Sequence, residues 1–350
     1  MTAGSSVGFE YVPYHQLGGR PNVVVDGSPT DGTTLTLTHW PGYMVPPGLA
    51  ADLSAQMAFK YLDWLRGEKQ PLHGPATAVS NNHFDQDGVV GLFALKEPEL
   101  ALDRRAFLED LAGAGDFGTY SDRQAARASM VIAAFADEDR SPLVLEMSYP
   151  ERTAQLYEEL LGLLPELADH TERFRNLWAD EDDALRQSEQ LISSGEVHIQ
   201  EVADVDLAVV DVPEQAPFGG GHRFAHLWEH GLHPMAIANA TRCGAVLARQ
   251  GRRYRFTYRY ETWVQYQSRR PRPRRDLAPL AAALTALEPA GVTWTYEGSA
   301  SLTPSLSPAT SDGVDVESAV EPDHLLTELT RSLASGPADW DPYRPAPTSA

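Results

Sequence analysis

His83, Asp85 and Asp87 stand on alternate positions in the stretch TAVSNNHFDQDGVVGLFAL, residues 77–95. An imidazole and two carboxylates spaced this way contribute little to a core. Hard oxygen donors with one nitrogen do suit Mn²⁺, Mg²⁺, Fe²⁺ or Zn²⁺. The chemistry on offer is divalent-ion binding and hydrolysis by a water that the ion acidifies. A plainer reading gives the acids turn and cap roles, with Asp87 before Val89 capping the following helix. That explains one carboxylate and leaves His83 and Asp85 without a role. An EF-hand calcium loop does not fit, because the position of its closing Glu holds Ala94.

The stretch reads as a strand, a charged crest and a helix opened by Gly88. In open α/β sheets, ligands sit beyond the carboxyl ends of the strands, so the alternating side chains converge where chemistry is usually done. Two earlier strands end in candidates of the same kind. Residues 22–26 (NVVVD) are continuous and apolar, as a buried parallel strand is, and end in Asp26. Residues 33–39 (TTLTLTH) alternate and end in His39, a candidate ligand or catalytic group. Alone, each reads equally as a turn Asp and a half-buried His.

Around these, residues 8–13 read as a strand and 46–67 as an amphipathic helix with Leu49, Leu53, Met57, Tyr61 and Leu65 near one stripe. Helices are expected over 97–113 and 121–137, joined by a loop in which glycines bracket Asp116, a further candidate ligand. Asp122 reads as first-turn charge.

Residues 150–194 read as long helices broken near Pro165, and 197–202 and 205–212 as strands; 213–217 reads as a linker and domain boundary. Next come Gly219, Gly220, Gly221, His222 and Arg223, a glycine run that permits close backbone approach to a ligand. His222, His226 and His230 at i, i+4 and i+8 also allow a separate zinc site, although Gly231 and Pro234 cut that helix short. Residues 235–242 and 253–266 alternate in polarity, which predicts antiparallel strands. Arg252, Arg253, Arg255, Arg259, Arg269, Arg270, Arg272, Arg274 and Arg275 form a basic island. Guanidinium forks bind phosphate, and a charge-balancing surface explains them as well. A helix is expected over 276–288, a strand over 292–298, and from Ser301 an extended tail with a short helix at 323–333.

The chain has 350 residues, 42% hydrophobic and 22% charged, enough for two domains with their own cores. A net charge of −21 disfavours nucleic acid as a main partner, a local basic patch aside. Cys243 is the single cysteine, so no intramolecular disulfide or Cys-based zinc cluster forms, and a reducing cytoplasm is the expected compartment. No secretory leader and no run of about eighteen apolar residues is read, so no membrane is expected. Lys occurs only at 60, 69 and 96, an Arg bias that suggests a GC-rich bacterial genome. Gly-x-Ser-x-Gly, P-loop and dinucleotide fingerprints are absent from the sequence.

His-x-Asp-x-Asp-Gly between a strand and a helix resembles the first motif of the DHH (RecJ-like) phosphoesterase superfamily. The likeness implies that His83, Asp85 and Asp87 bind a pair of Mn²⁺ ions. Gly-Gly-Gly-His is similar to the substrate-binding motif of the small domain that follows the DHH domain, and implies a substrate role for Gly219, Gly220, Gly221, His222 and Arg223. The Ala-Ala-Gly after that motif is missing, and no Asp-His-His occurs downstream of His83; Asp26 and His39 are the replacements the order of strands suggests. The whole chain also resembles an actinobacterial family carrying the first motif.

The expectation is an α/β protein with a mainly parallel sheet flanked by helices over 1–212. A smaller α+β domain follows over 213–310, with a tail over 311–350. Its expected function is that of a cytoplasmic, metal-dependent phosphoesterase-like hydrolase with Mn²⁺, or Mg²⁺ or Zn²⁺, as cofactor. A small phosphate ester or nucleotide-type phosphodiester would lie in a cleft between the domains, with His39 and His222 as catalytic groups. A homodimer is compatible with the sequence. The alternative is a non-catalytic protein that keeps the fold and binds a metal or phosphoryl ligand.

Overall fold

The computed structural model describes residues 8–214, 231–311, 313, 314 and 316–344. The chain is α/β and divides into two compact units, Met1–Asp182 with Tyr266–Ser268, and Asp183–Gln265 with Arg269–Ala350.

In the first unit, the apolar run 23–25 forms β2 (Asn22–Val25), and Val23, Val24 and Val25 are fully buried. Only a strand covered on both faces tolerates such a run. It pairs in parallel with β3 (Thr33–Leu37) on one side and β4 (Ala78–Ser80) on the other; β1 (Glu10–Tyr11) adds outside β4, giving the order β1-β4-β2-β3. All four strands run the same way, so β4, β2 and β3 deliver their carboxyl ends side by side.

The helices are α1 (Ser54–Arg66), α2 (Gln86–Lys96), α3 (Pro98–Leu102), α4 (Arg105–Asp116), α5 (Arg123–Phe135) and α6 (Tyr149–Asp169). α2 is the central one, buried at every position from Gln86 to Leu95. It comes close to the sheet because a Cβ on Gly91 would lie 2.5 Å from Val25 Cγ1. Fully buried Val89, Val90, Leu92 and Phe93 each contribute about 1.5–3 kcal/mol of apolar burial, which anchors the crest at its N-terminus. Pro165 lies inside α6, so the expected break is displaced: the helix stops at His170, before a 3-10 turn at Thr171–Phe174.

α7 (Arg175–Ser194) carries the chain across the division. The second unit holds β5 (His198–Val202), β6 (Leu207–Asp211), α8 (Pro234–Ala240), β7 (Ala245–Gln250), β8 (Arg253–Tyr258), β9 (Arg274–Arg275) and α9 (Ala278–Thr285). It continues with β10 (Val292–Tyr296), β11 (Ser305–Thr310), α10 (Pro322–Ser335) and β12 (Ala338–Trp340). Six strands form a mixed sheet ordered β10-β11-β8-β7-β6-β5, antiparallel except for β6 beside β7; β9 pairs with β12.

Because β5 and β6 hydrogen-bond into this sheet, the units divide at Asp182 and not at the expected boundary after residue 212. Residues 235–242, expected as strand, are largely helical. His233 caps α8 by accepting the Met235 N–H at 3.2 Å, Pro234 starts it, and Ala-rich spacing serves either period. The described residues after Ser301 are no loose tail either. β11 lies between β10 and β8, and α10 buries Leu325, Leu329 and Leu333 in the core with Trp294 and Leu306. Among the described residues, no helix is long and apolar enough to cross a membrane.

Candidate metal centre

The carboxyl ends of β2, β3 and β4 bring Asp26, His39 and His83 together. Asp26 turns the chain out of β2 at φ 53°, a left-handed conformation that Asp adopts more readily than most residues. Its Oδ1 lies 3.5 Å from His39 Nε2 and its Oδ2 lies 3.3 Å from His83 Nε2. His83 Nε2 is also 2.7 Å from Asp85 Oδ2, and His39 Nε2 is 3.6 Å from Asp116 Oδ2. Two groups could each hold a divalent ion: Asp26 with His83 and Asp85, and Asp26 with His39 and Asp87, with donor atoms in each within 4.8 Å of one another. Asp26 belongs to both. Asp116, expected on a loop, is the last residue of α4 and reaches the site from there.

The starts of α1 and α2 fix the acids. Asp85 caps α2 by accepting the Gly88 N–H at 2.8 Å on Oδ1, which leaves Oδ2 toward His83. The capping role considered for Asp87 on its own helix thus falls to Asp85. Asp87 instead serves α1, whose cap position is Leu53, a side chain with no acceptor. Its Oδ2 accepts the Ser54 N–H at 2.7 Å and its Oδ1 the Ala55 N–H at 2.8 Å. The positive end of α1 therefore faces the acid cluster.

Ser54, which sequence reasoning missed, ties three site residues together. Its hydroxyl donates to Asp26 Oδ1 at 2.8 Å and accepts the His39 N–H at 3.3 Å, while its own N–H goes to Asp87. The available signal was a serine at a helix start, which reads as an ordinary cap.

Each imidazole is held from behind. His39 Nδ1 is 2.6 Å from the Asp52 carbonyl; a carbonyl only accepts, so Nδ1 carries a proton and Nε2 is the ring nitrogen that faces Asp26. The His83 backbone is pinned by Asn81 Oδ1, which accepts its N–H at 3.1 Å, and by the Tyr157 hydroxyl, which donates to its carbonyl at 2.7 Å. Trp40 covers the His83 ring at 5.0 Å between centroids. A side chain on Gly88 would run into the Tyr157 hydroxyl, so the crest needs glycine there.

Burial disfavours charge throughout the site. At Asp26, that penalty is overcome by the hydrogen bond and charge of His83 and the charge of His39, which hold its carboxyl well below the usual range. Burial likewise pulls His83 down, yet the carboxylates of Asp85 and Asp26 prevail and push it up to about 12. Asp87 and Asp116 go the other way. Burial, then the neighbouring carboxylates (Asp26 and Asp85 for Asp87; Asp87, Asp85 and Asp26 for Asp116), raise both far above an ordinary carboxyl. Carboxyls pushed apart in this manner mark a site short of positive charge.

The donor set fits divalent ions. Four carboxylates face two imidazoles, and the buried Oδ2 of Asp116 accepts no hydrogen bond. The two groups differ in access. His39 and Asp26 side chains are 0% and 1% exposed, whereas His83 and Asp85 are 21% and 28% exposed.

Gly219, Gly220, Gly221, His222, Arg223, His226 and His230 lie outside the described residues. Much of the basic island is structural. Arg274 is fully buried; its guanidinium donates to the Thr262 hydroxyl and to the carbonyls of Ser299, Ser301, Arg259 and Leu302. Arg259 pairs with Glu261 at 2.6 Å and Arg252 with Glu321 at 3.1 Å.

No curated protein and no solved structure matches the chain. One protein family, described as a family of unknown function (DUF6687), matches residues 8–344. The match spans both compact units and every described residue of the metal centre, and the chain belongs to that family.

Proposed function

We propose that this protein is a metal-dependent phosphoesterase-like hydrolase in which Asp26, common to both candidate groups, would help to hold two divalent ions. The observation that carries the reading is the position of Asp26, one oxygen toward His39 and the other toward His83, in both candidate groups. His83 and Asp85 would hold one ion, and His39 and Asp87, with Asp116 beside His39, the other. One imidazole and several carboxylates at each position favour Mn²⁺ over the softer ions, with Mg²⁺ or Zn²⁺ as alternatives. When bound, such a pair supplies Lewis-acid polarisation of a phosphoryl oxygen and a lowered pKa for water.

The chain's own residues do the positioning. Ser54 orients Asp26, the start of α1 orients Asp87, and Tyr157 and Asn81 fix the His83 backbone. The exposed side of the centre, at His83 and Asp85, is where a phosphate ester can approach. The arrangement also supports the DHH-like reading of the crest. On that reading Asp26 and His39, from strands that precede the first motif, would stand in for the missing Asp-His-His.

A non-catalytic reading draws on one observation: the His39 side of the centre is wholly buried, as a structural ion would be. Metal analysis of the purified protein, with assays on phosphodiesters and phosphomonoesters, separates the two. Two ions per chain with turnover that Asp85→Ala abolishes supports the hydrolase; stoichiometric metal without turnover of either ester class supports the binder.

A further inference from the structure

Asp52 lies on the turn before α1 and is not among the candidate ligands, yet both its ends are engaged. Its backbone carbonyl accepts the His39 Nδ1 proton at 2.6 Å. Its carboxylate Oδ1 accepts the backbone N–H groups of Gln267 at 2.6 Å and Ser268 at 2.7 Å. Hydrogen bonds to an ionised acceptor are roughly twice as strong as neutral ones.

The segment they hold is unusual in its place. Tyr266–Ser268 packs with the first unit, although the chain on either side of it belongs to the second. Tyr266 meets Phe117 edge to face at 5.1 Å, and Phe117 in turn lies 6.1 Å from the His39 ring. Two residues beside His39, Asp52 at its Nδ1 and Phe117 near its ring, are thus also the residues that seat this segment.

We propose that Asp52 is a positioning residue that couples the seating of Tyr266–Ser268 to His39, so that the seated segment holds Nε2 in the pocket of Asp26 and Asp87. The inference rests on the reading of that pocket as a metal site. The coupling has a short path. Two amides fix the Asp52 side chain, the fixed residue sets the direction of its own carbonyl, and the carbonyl sets the rotation of the imidazole. A group on the far nitrogen of a metal-ligating histidine commonly changes metal affinity by about 10–100-fold. Coupling of this kind is reciprocal, so filling the pocket must tighten the segment by the same factor.

A plain tether for the segment predicts neither effect, and this separates the two roles. The experiment is Mn²⁺ titration of the full chain, wild type, Asp52→Ala and Asp52→Asn, with amide hydrogen exchange read at Gln267 and Ser268 with and without Mn²⁺. Asp52→Ala should weaken one of two Mn²⁺ sites about tenfold and leave the other unchanged. Asp52→Asn, which keeps one acceptor oxygen, should fall between. In wild type, Mn²⁺ should slow exchange at both amides, and in Asp52→Ala it should not.

If wild type binds Mn²⁺ and the two amides exchange at the same rate with and without it, the coupling is refuted while the metal reading stands. If both Asp52 variants bind two Mn²⁺ ions as tightly as wild type, the coupling is likewise refuted. If wild type binds no Mn²⁺, the metal reading fails and the coupling with it.

Discussion

Replacing Asp26 with Asn should remove the response to metal more completely than any other single change in the centre. The reason is its place in both candidate groups, where Asp85 belongs to only one. An ion that binds only the folded chain stabilises it by about 2.7 kcal/mol at a hundredfold excess over its Kd, so two independent sites give about 5 kcal/mol. In a unit of this size each kcal/mol moves the melting temperature by about 2–4 °C, so saturating Mn²⁺ should raise the wild-type melting temperature by roughly 10–20 °C. Asp85→Asn should keep about half of that rise, and Asp26→Asn almost none. The assay is thermal melting of each protein in EDTA and in saturating Mn²⁺, comparing only the shift, because the substitutions also alter the metal-free state. If Asp26→Asn retained as large a shift as Asp85→Asn, Asp26 would not be shared and the two-ion arrangement would be wrong.

Other outcomes follow from the electrostatics and from the second unit. Asp116 is a buried acid whose Oδ2 accepts no hydrogen bond and whose carboxyl is raised by burial and by Asp87, Asp85 and Asp26. Asp116→Asn should therefore stabilise the metal-free protein by about 1–2 kcal/mol and weaken Mn²⁺ binding; a lower metal-free melting temperature would contradict this. Asp87 and Asp116 keep protons in the folded chain at pH values where the unfolded chain has lost them. Their contribution to metal-free stability is present below the ordinary carboxylate pKa and is lost as pH rises through the raised folded values. Bound ions displace those protons, so the Mn²⁺-induced melting shift should be larger at pH 8 than at pH 5 and should vary less with pH in Asp116→Asn. Arg274→Met should destabilise the second unit by about 3 kcal/mol, because it removes a buried guanidinium that donates to the carbonyls of Ser299, Ser301, Arg259 and Leu302, the first bond buried and the others partly so. Arg274→Lys should not restore it in denaturant melts, since one ammonium cannot span the guanidinium's partners.

The crest was legible in the sequence because its geometry is local: a strand, three alternating side chains and a helix within about twenty residues of chain. Asp26 and His39 were legible as strand ends. That they face His83 depends on β2 lying between β3 and β4, a pairing that the residues of a single strand do not encode. Ser54 was hidden for the same reason. A serine at a helix start looks like a cap, and its partners Asp26 and Asp87 come from two other elements. Asp52 was hidden further, since its partners Gln267 and Ser268 return from a distant part of the chain.

In the second unit the errors came from composition. MAIANATR alternates well enough for a strand, yet Pro234 and the His233 cap start a helix there. The Ser- and Pro-rich run around residues 301–310 looked unstructured, although β11 finds partners on both sides.

The proposal that two ions share Asp26 is tested most directly by anomalous diffraction from Mn²⁺-soaked crystals. Two anomalous peaks about 3.5–4 Å apart, one beside His83 and Asp85, the other beside His39 and Asp87, with Asp26 between them, are the expected result. A single peak that leaves Asp26 uncoordinated, or no peak at the ends of β2, β3 and β4, would contradict it.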